Sequence, residues 1–335
     1  MSKVSVLIPC LNAARWVADT IASVRSQTYR RVEMIIVDDG STDGRRAVLQ
    51  RLNGPDMKVL TQDHLGAGVA RNRALEHSQG DYIQFLDADD LLGPTKISDQ
   101  LVALADCSAN TLALCPVVYF NDGQSRDAGV RHQGWPFVDS IDPVNWLVEL
   151  LGPDKGSMVP LHCWLSPRSV ISRVGAWNPV RSPIDDGEFF ARVVLESDGI
   201  KNCTDALCFY RKHPRGGSLS GRRDAMHRSG HLQHLNSIES HLLSRIDSSR
   251  ARRALARIYF DFAVNAYPSQ VKLSRTAMQK VRELGGAARP RFGSVASETL
   301  ARLVGWRGCR LAQELSRPIM SRVRARRHEK IATTR

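Results

Sequence analysis

The sequence predicts an α/β protein with a mostly parallel, mixed central sheet flanked by helices and a helical C-terminal extension. Three observations carry this expectation. Short apolar runs alternate with helical stretches over the first hundred residues, and repeated βαβ units close into a parallel sheet covered on both faces. Carboxylates and an asparagine recur where those apolar runs end. Past Asp224 the alternation stops and arginine-rich helical patterns take over.

In chain order, "VSVLIP" (4–9) reads as a first buried strand, and Trp16, Val17, Ile21 and Val24 fall on one helix face. "VEMIIVDD" (32–39) is a second strand, followed by a polar helix from about Asp43. A short strand at "MKVL" (57–60), a helix at "GVARNRALEHS" (68–78) and a strand at 81–86 complete the series. A helix from Pro94 to about Ala105 leads to "TLALCPVVYF" (111–120), expected as one further buried strand. The segment 121–160 is rich in Gly, Pro and Asp and is expected to carry loops at the site. "IDDGEFFARVVLESDG" (184–199) suits a helix, and "ALCFYRKHPRGGSLS" (206–220) a strand running into a glycine-rich loop. Beyond Asp224 helices are expected, broken at Pro268 and at 285–293, and the stretch 298–330 is amphipathic, with Leu300, Leu303, Val304 and Leu311 among arginines.

A chain of 335 residues exceeds what a single core usually holds, so one large domain and an appended one are expected. Charge suggests the boundary: residues 1–224 hold 25 Lys and Arg against 27 Asp and Glu, whereas residues 225–335 hold 22 against 7. An anionic partner, such as a membrane surface, is therefore inferred for the C-terminal region alone. Nucleic acid is not expected there, because charge without a recognition motif is unspecific. The seven cysteines are scattered, with no Cys-x-x-Cys pair, which favours reduced thiols over a disulfide framework or a zinc site. The N-terminus reads as a strand rather than a signal peptide, and no apolar run is long enough to span a membrane. A cytoplasmic protein, peripheral at the inner face of the plasma membrane, is the resulting expectation.

In classical α/β sheets ligands sit beyond the carboxyl ends of the strands. Pro9 and Asn12, Asp38 and Asp39, and Asp87 to Asp90 all fall at such ends, so a single site is expected. Asp87, Asp89 and Asp90 crowd into four positions, where like charges repel unless a cation or strong donors offset them. A short Asp-x-Asp array suits a hard divalent ion that borrows further oxygens from a phosphate. "IIVDDGSTD" (35–43) puts Asp38 and Asp39 before a turn, although Ser41 and Asp43 also suit plain helix capping. "QDHLGAGVARNRAL" (62–75) opens a helix at Gly66 with Arg71 in its first turns, where phosphate is attracted. Asp185 and Asp186 also suit the positive end of a helix. Trp135, Trp164 and Trp177 fit either a sugar subsite or the core.

Residues 3–105 resemble glycosyltransferase family 2 through "PCLN" (9–12), "VDDGSTD" (37–43), "GAGVARN" (66–72) and "DAD" (87–89), in order and at the family's spacings. "DDGEFFAR" (185–192) and "YRKH" (210–213) resemble its later motifs. The resemblance implies a GT-A-type, Rossmann-like fold and an inverting transfer from a nucleotide-diphosphate sugar to a hydroxyl of a saccharide or lipid-linked acceptor, in cell-surface polysaccharide synthesis. Uridine diphosphate is the default, with thymidine and guanosine diphosphate open. It implies that Pro9, Leu11 and Asn12 line the nucleoside pocket, that Asp39 accepts from the base, and that Gly66 and Arg71 lie near base or phosphate. Asp87, with Ala88, would face the ribose; Asp89 would bind Mg2+ or Mn2+, with His213 as a second ligand; Asp186 would be the catalytic base. Leu11 departs from the pattern, since the family commonly stacks an aromatic ring there. A nucleotide-sugar-binding protein without transfer, or a glycoside hydrolase using paired carboxylates, are the alternatives.

Overall fold

The computed structural model describes residues 2–132, 138–152, 158–213, 224–286, 292 and 294–332. The expected alternation is present: β1 (Val4–Cys10), α1 (Val17–Arg25), β2 (Val32–Asp39), α2 (Arg45–Arg51), β3 (Met57–Gln62), α3 (Ala67–Glu76) and β4 (Tyr82–Phe85). Next come β5 (Leu91–Leu92), α4 (Lys96–Ala103), β6 (Thr111–Leu114), β7 (Val117–Asn121), β8 (Val130–Arg131) and α5 (Pro143–Leu151). After a 3-10 turn at Leu161–Cys163 the chain forms β9 (Trp164–Pro167), α6 (Arg168–Val174), α7 (Asp185–Leu195), β10 (Gly199–Asn202) and β11 (Cys208–Lys212). Four helices follow: α8 (Ala225–Arg245), α9 (Ser249–Ala266), α10 (Val271–Glu283) and α11 (Val295–Ala332).

Seven strands form the main sheet in the order β10-β6-β9-β4-β1-β2-β3. Its pairings are parallel except where β9 runs antiparallel between β4 and β6. β1 is buried at every position, as a central strand covered on both faces must be. β3, at the edge, exposes Lys58, Val59 and Thr61. A smaller sheet, β5-β11-β7-β8, lies beside it.

The run at 111–120 is two strands rather than one. β6 pairs with β10 and β9, while β7 pairs with β11 and β8. Pro116 sits at the break, where a residue without an amide hydrogen ends a ladder.

The chain divides into two compact units, Met1–Ala251 and Arg252–Arg335. The division falls after α8, not at 224 where the charge changes, because α8 belongs to the first core. Leu232, Leu235, Ile238 and Leu242 of α8 are buried, and Ser237 donates to Glu188 of α7 at 2.7 Å. Charge patterning reports solvent exposure; it does not report which apolar face is covered. In the second unit Tyr259, Ala263, Ala277 and Val281 are buried, and Arg310 donates to the Val264 carbonyl at 3.0 Å. α11 is interrupted at Gly305, whose φ is 73°.

Trp164 and Trp177 are core residues, each 1% exposed. Trp177 stacks on Phe189 at 3.9 Å and Trp164 on Phe190 at 5.5 Å. Trp135 lies outside the described residues, as does the glycine-rich part of the 206–220 segment.

Candidate active site

A cleft of about 450 Å³ opens at the carboxyl ends of β1, β2 and β4 and is lined as well by Asp185 and Asp186 at the start of α7. Pro9, Leu11, Asn12, Asp39, Gly66, Arg71, Asp87, Ala88, Asp89, Asp186 and His213 all line it. The structure thus brings together the residues to which the family resemblance assigns roles, whereas Asp38, also at a strand end, does not line the cleft.

Local geometry explains how. Asn12 takes a left-handed φ of 48° and is tied to the loop after β2: its amide donates to Ser41 Oγ at 2.7 Å, and its side-chain oxygen accepts from the Thr42 amide at 2.9 Å. Asp43 accepts from the Ala14 amide at 2.7 Å. The N-cap position of α2 is Gly44, and Ser41 and Asp43 knit two strand-end loops into one wall. Gly40, at φ +75°, allows the turn, since a Cβ there would meet the His64 amide nitrogen at 2.8 Å.

Asp39 is 2% exposed. Its Oδ1 accepts from the Leu65 amide and from Gln62 Nε2, both at 2.8 Å, and its Oδ2 accepts from the Gly66 amide at 2.9 Å. The side chain therefore sets the loop that starts α3 and keeps only its remaining lone pairs for a ligand.

The crowded acids are each given a protein partner. Buried Arg71 donates to Asp87 and to Asp185, each at 2.8 Å, and its guanidinium lies 4.5 Å over the Trp177 ring. Burial alone would disfavour the Arg71 charge; Asp185 and Asp87 outweigh it and hold the guanidinium protonated. Asp89 Oδ2 stands 2.5 Å from His213 Nε2, and this hydrogen bond raises the imidazole pKa. Asp90, 2% exposed, accepts from the Arg211 amide at 2.8 Å and so fastens β11 to the acidic loop. Burial first, then Asp89 and Asp87, push its carboxyl well above the usual range.

Asp186 is in the first turn of α7, where its Oδ1 accepts from the Gly187 amide at 2.8 Å. Burial, followed by the charge of Asp185, raises its pKa to about 7. Arg192 is absent from the cleft. It pairs with Glu188 one turn back at 2.9 Å and donates to the Val174 and Ala176 carbonyls, which braces α7 against the end of α6.

Several cleft residues escaped the motif search. Trp16 lines the cleft, donates to Asp122 at 3.0 Å and sits 4.5 Å from the His213 ring. It supplies an aromatic surface that Leu11 lacks, but its sequence signal was that of a helix face. Arg181 lines the opposite wall and donates to the His64 carbonyl at 2.7 Å; nothing in the sequence distinguishes it from a solvated arginine.

Asp89 and His213 fit a divalent cation. A carboxylate oxygen and an imidazole nitrogen converge in direct contact on the cleft, and His213 Nδ1 is buried without a hydrogen-bond partner among the described residues. Two protein donors leave room for waters and substrate oxygens, as Mg2+ and Mn2+ require.

Residues 5–156 match the family described as glycosyl transferase family 2. These residues belong to glycosyl transferase family 2. The family 2 segment is 38% identical over 102 residues to WfaP of Escherichia coli, described as UDP-Glc:alpha-D-GlcNAc-diphosphoundecaprenol beta-1,3-glucosyltransferase, covering 30% of this chain and 41% of WfaP. The chain spans about two-fifths of the length of this and similar curated relatives. S. aureus TarS 1-349, crystallised in complex with UDP-GlcNAc, has the same fold, with a TM-score of 0.68 at 18% identity over 94% of this chain and 92% of that one. The mannosyltransferase PcManGT from Pyrobaculum calidifontis, solved with GDP-Man and Mn2+, aligns with a TM-score of 0.53 at 16% identity over 94% of this chain and 86% of that one. The fold is therefore of the GT-A type.

Proposed function

We propose that the chain is an inverting glycosyltransferase, taking a sugar from a nucleotide-diphosphate donor, by default a UDP-sugar, to a hydroxyl of a saccharide or lipid-linked acceptor in cell-surface polysaccharide synthesis. One observation carries this reading: a single cleft collects Asn12, Asp39 and Asp89 of the family 2 segment, and Asp186 from beyond it, from separate strand and helix ends. WfaP, named for a UDP-Glc donor and a diphosphoundecaprenol-linked acceptor, supports the choice of donor and acceptor class.

Asp186 removes the proton of the acceptor hydroxyl as its oxygen attacks the anomeric carbon. A base with a pKa of about 7 is both strong and largely deprotonated slightly above neutrality. Asp39 accepts from the base through its remaining lone pairs, and Trp16 and Leu11 contribute apolar walls. Arg71 is committed to Asp87 and Asp185, so its role is to position those carboxylates rather than to bind phosphate. Asp89 and His213 would hold Mg2+ or Mn2+, which when bound supplies positive charge to the departing diphosphate.

Thermal-shift titration with nucleotide sugars and Mn2+ tests the donor assignment. A bound donor at a hundredfold over its Kd stabilises by about 2.7 kcal/mol, so a clear rise in Tm is expected for one class of nucleoside diphosphate. Asp89→Ala should lose the Mn2+-dependent part of that rise. An undiminished shift would remove Asp89 from the metal role, and no shift with any nucleotide sugar would defeat the donor reading.

The basic region 225–335 is assigned to an anionic membrane surface. No helix among the described residues is long and apolar enough to cross a membrane, but Leu303, Val304, Leu311 and Leu315 of α11 are exposed among arginines, a pattern suited to lying in the interface. The full chain should sediment with vesicles containing phosphatidylglycerol and be released by salt. Equal sedimentation with purely zwitterionic vesicles would dismiss the electrostatic component.

A further inference from the structure

Three cysteines far apart in the sequence meet behind the cleft. Cys115 lies between β6 and β7, Cys163 immediately precedes β9, and Cys208 begins β11; all three are free and buried. Cys163 Sγ is 3.5 Å and Cys115 Sγ 3.8 Å from Cys208 Sγ. His162 adds a nitrogen: the donor atoms of His162, Cys163 and Cys208 lie within 4.8 Å of one another.

Buried thiols commonly pack as small apolar groups, and a trio in contact is not by itself a site. His162 changes the balance. It is wholly buried, and neither of its ring nitrogens makes a hydrogen bond among the described residues. A buried polar atom left without a partner is costly, and such groups call for an ion or a water. Asp90 Oδ2 stands 3.2 Å from His162 Nδ1, the type of carboxylate that orients a metal-bound imidazole. Spacing agrees for the sulfurs: thiolates about 2.3 Å from one tetrahedral zinc stand about 3.8 Å apart, and Cys115, in contact with Cys208 but outside the 4.8 Å set of His162, Cys163 and Cys208, closes on them as the ion binds.

We propose that Cys115, Cys163, Cys208 and His162 bind one structural Zn2+ ion that ties the main sheet to the smaller sheet. The thiol and imidazole donors select a borderline soft cation over Mg2+ or Mn2+, so this site is chemically separate from the Asp89 and His213 pair. Binding displaces the thiol protons to solvent, leaving three thiolates around a dication. Fully buried Lys96, which donates to the Gln84 side chain and to the Trp164 carbonyl at 3.3 Å, offsets the remaining negative charge. The cation need not reach the cleft; it fixes β9 and β11, the elements behind it.

The experiment is metal analysis of the purified full chain, followed by zinc removal with a strong chelator and refilling with Co2+. One zinc per chain is expected, together with a lower Tm on removal and a thiolate-to-cobalt charge-transfer band with tetrahedral d–d bands on refilling. Cys208→Ser should lose the band, and Cys107→Ser should keep it. If Cys208→Ser fails to fold, the cobalt spectrum of the unmutated chain still decides. A folded chain that holds no zinc and gives no thiolate–cobalt band overturns the proposal. So does zinc that leaves on brief EDTA dialysis without any change in Tm, or a Cys163–Cys208 disulfide found by alkylation after denaturation.

Discussion

Replacing Asp186 by Asn is expected to slow sugar transfer by at least a hundredfold while nucleotide binding is unchanged. Positioned general bases contribute about 10² to 10⁴ in rate, and the amide keeps the side chain's shape while removing its basicity. The pH profile gives a second, independent readout. With the Asp186 pKa raised to about 7, wild-type turnover should climb as pH rises through neutrality and level off above it, and the variant should lack that limb. Stability has the opposite sign. The folded chain holds this proton at pH values where the unfolded chain, with an ordinary aspartate pKa of 3.8, has released it. The stabilisation linked to that proton is thus present below about pH 4 and lost as pH rises through 7. Asp186→Asn should flatten this part of the stability curve. Unchanged turnover, or a variant with the wild-type pH limb, would assign the base to another group.

Truncating Arg71 is expected to cost about 3–5 kcal/mol of folding stability, the range found when one partner of a buried ion pair is removed. The guanidinium is 4% exposed as a residue, bridges Asp87 and Asp185, and lies over Trp177. Without it, two carboxylates face each other beside Asp186 with no counter-charge. Arg71→Lys should recover little, since a single ammonium lacks the fork that reaches two acids and the planar face that stacks on indole. Urea unfolding measures the loss, and nucleotide titration of the folded fraction tests whether the cleft keeps its shape. A wild-type urea midpoint for Arg71→Ala would show that the bridge contributes nothing, returning Arg71 to the phosphate contact that its place at a helix start suggested.

The two expectations for Arg71 differ because of what one dimension conceals. At residues 66–72 the chain announces a helix start with an arginine, and phosphate is a reasonable partner for it. The partner it has, Asp185, lies 114 positions away. The same applies to Asp87, Asp89 and Asp90, whose crowding called for a cation. The protein supplies Arg71, His213 and the Arg211 amide, each from a different element, and a divalent ion has only the Asp89 and His213 pair left to join.

Periodicity and strand-end chemistry, both local, gave the βα alternation, the mostly parallel sheet and the strand-end residues Pro9, Asn12, Asp39 and Asp87 to Asp90 of the cleft, because a strand's apolar run and the residue that ends it are adjacent in the chain; Asp186 and His213 rested on the family resemblance, and Trp16 and Arg181 carried no local sign of a site. Local signals could not reveal that β9 runs antiparallel through the main sheet, that 111–120 divides between two sheets at Pro116, or that α8 belongs to the first core. Nor could they show that the scattered Cys115, Cys163 and Cys208 meet, the last two beside His162. Those features are contacts between distant segments, chosen by which apolar faces cover one another, and hydrophobic burial has no direction along the sequence.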